Sequence, residues 1–85
     1  MTSEFIDLLE LSDFYLLSQK FEEALKVLKK AEKIEKMSSK LYFNMGMAYE
    51  ALGLLDQARD SFRVALKVDP SNKNAQEHLD RLVEG

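Results

Sequence analysis

Displaced by 34 residues, the sequence overlays itself, large side chains on large and small on small. Leu8 falls on Tyr42, Leu11 on Met45, Ser12 on Gly46 and Tyr15 on Tyr49. Phe21 then falls on Leu55, Ala24 on Ala58, Leu28 on Phe62, Ala31 on Ala65, Ile34 on Val68 and Glu35 on Asp69. A partial third copy follows, with Ala75 on Leu41, Leu79 on Met45 and Val83 on Tyr49. A unit of this length cannot bury its own apolar face. Stacked copies bury one another, so the period restricts the chain to a repeat architecture.

Within each period the pattern is helical. One proline (Pro70) and three glycines (Gly46, Gly53, Gly85) interrupt good helix formers, and apolar residues recur at three and four rather than two. Helices are predicted over about 4–18, 21–36, 39–52, 55–68 and 72–83. Ser38 or Ser39 is placed to cap the third, and Ser71 or Asn72 the fifth. Gly53 is the expected turn between the third and fourth, because it accepts positive φ. Small residues (Ser12, Gly46, Ala24, Ala58, Ala31, Ala65) mark where helices approach closely, and Tyr49, Leu55 and Phe62 fill the space around them.

The second copy reads Tyr42-x-x-Met45-Gly46-x-x-Tyr49, then Ala58-x-x-x-Phe62-x-x-Ala65, then Pro70. In this it resembles the tetratricopeptide repeat family. The first copy departs from the pattern at Leu8, Ser12 and Lys36, which stand in place of an aromatic, a glycine and a proline. The resemblance implies an all-α fold of tandem antiparallel helical hairpins, a right-handed solenoid fragment with a closing helix. Repeat 1 would cover about 5–38, repeat 2 about 39–72 and the closing helix about 73–83, all within a single domain of 85 residues. The closing helix is the more polar one, as a terminal cap must be.

The net charge of −3 and pI of about 5.1 argue against nucleic acid, whose phosphates select basic faces. No cysteine is present, which removes thiolate chemistry and suits the cytoplasm. The acidic start, Met1-Thr2-Ser3-Glu4, lacks the basic region of a secretory signal, and Phe5–Leu17 is too short and too charged to span a membrane. No zinc-protease signature, phosphate loop or nucleophile–base pair occurs, so the expectation is a protein that is not an enzyme and needs no metal and no cofactor. His78, the only histidine, reads as a surface residue of a polar helix. Lys26, Lys29, Lys30, Lys33 and Lys36 form one stripe, read as a solvated face partnered by Glu22 and Glu32.

The first helix is apolar nearly all round. Leu8, Leu11 and Tyr15 are read as its core stripe, with Ile6, Leu9, Leu16 and Leu17 opposite, and a helix of this kind is covered on more than one side. In the family resembled, the second side of the first helix of each pair lines a ligand groove. Carried over, the groove positions are Ile6, Leu9, Asp13, Leu16 and Leu17 on the first helix. On the third they are Lys40, Phe43, Asn44, Met47, Glu50 and Ala51. On the last they are Asn74, Glu77 and Arg81. Some members clamp a chaperone's C-terminal carboxylate with lysines, an arginine and asparagines. Only Asn44 matches that set, while Leu9, Asp13, Asn74 and His78 depart from it, so a carboxylate clamp is not expected. The reading is a protein–protein interaction scaffold that takes a short apolar or amphipathic segment of a protein or peptide. A homodimer through the same surface is the alternative.

Overall fold

The computed structural model describes residues 2–84, with the side chain of Glu84 left aside. The helices are α1 (Ser3–Leu17), α2 (Phe21–Ile34), α3 (Ser39–Ala51), α4 (Leu55–Val68) and α5 (Lys73–Glu84), and no strand occurs among the described residues. Each helix packs on its neighbour in the chain, and α1 also touches α3. The molecule measures 37 × 26 × 17 Å, and its short dimension holds two helix layers. One layer is α1, α3 and α5. The other is α2 and α4, with a cleft of about 210 Å³ between them floored by Tyr42, Met45 and Tyr49.

The 34-residue period is a period of backbone hydrogen bonds as well. After α1, the Lys20 amide donates to the Tyr15 carbonyl at 2.8 Å and Gln19 to Leu16 at 3.1 Å. After α3, Leu54 donates to Tyr49 at 2.9 Å and Gly53 to Glu50 at 3.0 Å. Both are Schellman turns, which need a left-handed residue just past the helix. Gly53 supplies it with φ 78°, and Gln19 is forced into the same region at φ 60°. The other two turns also match. The Met37 amide donates to the Glu35 carboxylate at 2.8 Å, and the Ser71 amide to Asp69 at 3.0 Å. This carboxylate turn ends α2 at Ile34, two residues short of the sequence expectation, although no proline follows it. Thr2, Ser38 and Asn72 each accept a first-turn amide and cap α1, α3 and α5. Ser39 does not cap. Its hydroxyl donates to the Ala65 carbonyl at 2.8 Å and ties α3 to the end of α4.

The core runs through Phe5, Leu9, Leu28, Leu41, Met45 and Phe62, with Ala24, Ala31, Ala58 and Ala65 where helices approach closely. This corrects the expectation for α1. Its buried residues are Phe5, Leu9 and Ser12, while Leu11 is 38% exposed. In α3 the face of Tyr42 and Met45 is closed by the preceding hairpin, with the Tyr42 hydroxyl donating to Glu32 of α2 at 3.0 Å. The equivalent face of α1, Leu8 and Leu11, has no preceding helix on it among the described residues. The lysine stripe is exposed as expected, but none of its ammonium groups lies within ion-pair reach of a carboxylate among the described residues. Lys36 donates instead to the Glu32 carbonyl.

Candidate partner-binding face

The layer of α1, α3 and α5 carries two cavities. The first, about 460 Å³, is lined by Asp13, Ser39, Lys40, Phe43, Asn44, Asp69, Asn72 and Asn74. The second, about 370 Å³, lies toward the other end and is lined by Leu16, Phe21, Met47, Glu50, Ala51, His78 and Arg81.

A polar cluster sits beside the first cavity. The Asn44 amide nitrogen donates to Ser12 Oγ at 3.0 Å and to Asp13 Oδ1 at 2.8 Å, which uses both of its hydrogens. The Ser12 hydroxyl in turn donates to the Leu9 carbonyl at 2.7 Å. Lys40 Nζ lies 2.8 Å from the other Asp13 oxygen. Asn44 is only 4% exposed, so it joins the hairpins and does not reach out to a ligand. At the far rim, the Ser71 hydroxyl and amide both donate to Asp69, and these bonds hold its carboxyl below the usual carboxylate range.

His78 is the residue that sequence reasoning misplaced. Its ring stacks on Phe62 at 5.3 Å between centroids and meets the edge of Phe43 at 5.6 Å. Its Nδ1 lies 3.1 Å from Glu50 and 2.6 Å from Arg81; as an N–H it donates to the carboxylate, and unprotonated it accepts from the guanidinium. The cause lies in another helix. Gly46 has no Cβ, and Phe62 fills that space so tightly that a Cβ built on Gly46 would meet the ring at 2.5 Å. His78 occupies in α5 the position that Asn44 occupies in α3, one period earlier. Asn44 packs on Ser12, whereas His78 packs on the aromatic that Gly46 admits.

The structure thus gathers Asp13, Lys40, Phe43, Asn44 and Asn74 around one cavity, and Leu16, Met47, Glu50, Ala51 and Arg81 around the other. Ile6 and Leu17 are exposed at the edge of α1 and Glu77 is exposed on α5, outside both cavities. Leu9 is a correction. At 8% exposure it belongs to the core, on the face of Phe5 and Ser12, and is not open to a ligand. Phe43 is half-buried and packs against Phe62, so only part of it is open. Phe21 was missed because it opens α2, and only the α1–α2 turn brings it to this layer. Among the described residues no group of three or more histidines or carboxylates is placed to hold a metal, and no helix is long and apolar enough to cross a membrane.

Paired antiparallel hairpins with a closing helix and conserved turn bonding between copies define a tandem helical-repeat protein. A family model described as tetratricopeptide repeat matches residues 39–72, and one described as TPR repeat matches residues 13–53. Heat shock protein STI1 of Saccharomyces cerevisiae is 40% identical over 68 residues, 80% of this chain and 12% of STI1. Anaphase-promoting complex subunit 3 of Dictyostelium discoideum is 35% identical over 65 residues, 76% of this chain and 7% of that subunit. The chain therefore belongs to the tetratricopeptide repeat family, whose repeats are protein–protein interaction modules. It spans only a small part of the length of either relative.

Proposed function

We propose that the chain is a non-catalytic scaffold that seats a short apolar or amphipathic segment of a partner protein along α1, α3 and α5. We place it in the cytoplasm, where a cysteine-free module is at home. The observation that carries the reading is the second cavity. Leu16, Phe21, Met47 and Ala51 give it an apolar lining, and Glu50, His78 and Arg81 give it a polar rim. Its volume of about 370 Å³ suits a large apolar side chain or two small ones. Methionine at such a surface adapts to more than one shape. The relatives support the general reading, since one is by name a subunit of a multiprotein complex.

The test uses Met47→Glu with Ala51→Arg. Ala51 is exposed and Met47 only half-buried, so the helical signal should persist. Partners recovered with the parent chain and identified by mass spectrometry should lose at least about tenfold in affinity, as expected when charge enters an apolar seat. Retained affinity would remove the cavity from the binding site. Self-association is the second reading, favoured by Ile6 at 42% and Leu17 at 86% exposure on the edge of α1. Sedimentation of the parent chain separates the two, because a dimer held by the edge of α1 should dissociate on Leu17→Glu and persist in the cavity double variant.

A further inference from the structure

A second surface lies on the far side of α1 from the two cavities. In α3 the residues Leu41, Tyr42, Met45 and Ala48 are buried; α2 and α4 both pack on α3, and the Tyr42 hydroxyl reaches Glu32 of α2. One period earlier the same positions in α1 are Asp7, Leu8, Leu11 and Phe14. Leu11 and Phe14 are exposed, Phe14 to 59%, with its ring 5.9 Å from that of Tyr15. Among the described residues this face carries no helix. Two features set it apart from its buried counterpart. Asp7 replaces the fully buried Leu41, and the larger Phe14 replaces Ala48. Glu4 and Glu10 are exposed on the same helix, and residues 1–19 contain no lysine or arginine. No cation lies within ion-pair distance of Asp7 or Glu10 among the described residues.

We infer that this face docks a basic amphipathic helix of a partner protein, with small and aliphatic residues against Leu8, Leu11 and Phe14 and lysines or arginines against Asp7 and Glu10. The helix that packs beside the equivalent residues of α3 has the apolar half of that chemistry, while the basic half follows from Asp7 and Glu10, unpaired among the described residues. α2 presents Ala24, Val27, Leu28 and Ala31 on its buried side and a row of lysines outside. A second copy of the chain is a poor occupant. Pairing α1 with α1 would set Asp7 and Glu10 of both copies against each other without a base between them. The apolar faces of α2 and α4 are already spent on their neighbours.

The probe is a fluorescent helical peptide of about 16 residues built from Ala, Leu and Lys with one apolar stripe, beside a counterpart with Glu for every Lys. Anisotropy should show the Lys peptide binding the full chain at least about tenfold more tightly than the Glu peptide, with affinity falling as salt rises. Phe14→Ser should weaken the Lys peptide about fivefold or more, and Asp7→Lys should erase or invert the preference. Met47→Glu, in the cavity on the other side of α1 from this face, should leave both peptides unaffected, which keeps this test separate from that of the cavities. Equal binding of the two peptides, indifference to Phe14→Ser, or sensitivity to Met47→Glu would overturn the assignment. So would a parent dimer that Phe14→Ser converts to monomer, because a second copy would then be the occupant.

Discussion

Gln19 and Gly53 perform one task with unequal means. Each follows the end of a helix by two residues and turns the chain through the left-handed region, at φ 60° and φ 78°. For a residue with a Cβ that conformation costs about 1–2 kcal/mol. Glycine avoids the cost but loses about 0.5–1 kcal/mol more chain entropy on folding. The first effect is the larger, so Gln19→Gly should raise stability by about 0.5–1 kcal/mol, read as a higher urea midpoint at unchanged slope. A lower midpoint would mean that the glutamine side chain contributes something beyond its backbone geometry. The reverse change, Gly53→Gln, should cost a similar amount, even though nothing lies within 4 Å of the Cβ it would add.

At the scale of the helix pair, the contact of α3 with α4 is set by Gly46 beneath Phe62. Gly46→Ala gains about 1 kcal/mol of helix propensity and drives a methyl group into a fully buried ring. Overpacking of that kind costs about 1–3 kcal/mol, so the change should destabilise on balance. Combining it with Phe62→Leu approaches the first repeat, where the small Ser12 is the counterpart of Gly46 and Leu28 of Phe62. The double variant should therefore be less destabilised than the sum of the single changes, as a double-mutant cycle in chemical denaturation would record. Strict additivity would place the strain elsewhere. The same pair explains what the sequence did and did not disclose. Positions such as Gly46, Ala58 and Ala65 were legible because helix separation leaves room only for small residues there, and this fixed the period, the helices and the pairing. The core face of α1 was not legible. With Phe5, Ile6, Leu8, Leu9, Leu11, Phe14, Leu16 and Leu17 spread around the helix, local pattern cannot tell which side meets α2. The seat of His78 was hidden for a different reason. It depends on a missing Cβ in α3 and an aromatic in α4, and a helical wheel of α5 contains neither. Of the candidate face, the positions on all three helices were carried over from the family resembled, and on α1 the transfer depended on the face that the pattern left ambiguous.

Across the whole molecule, the two hairpins are joined by a polar tie on each layer. On one layer Asn44 bridges to Ser12 and Asp13. On the other the Tyr42 hydroxyl donates to Glu32 at 3.0 Å, and this tie gives the junction a dependence on pH. Burial, reinforced by the bond to Glu32 and by its negative charge, pushes the Tyr42 hydroxyl up to about 12. An unfolded tyrosine loses its proton near pH 10. Between those values the folded chain holds a proton that the unfolded chain has lost. The contribution of this group is therefore complete below pH 10 and disappears as pH rises through 12. Solvent reaches this junction and screens the interaction, so the loss is on the order of 1 kcal/mol, still appreciable for a thin two-hairpin core. Tyr42→Phe cannot titrate. At neutral pH it should cost about 1 kcal/mol for the missing hydrogen bond, and its stability should then fall less steeply than that of the parent above pH 10. Urea midpoints taken from pH 7 to pH 12 should show the two curves converging at the alkaline end. Curves that stay parallel throughout would mean that the hydroxyl keeps no special hold on its proton, and that the hairpins are joined by the Asn44 tie and by apolar packing.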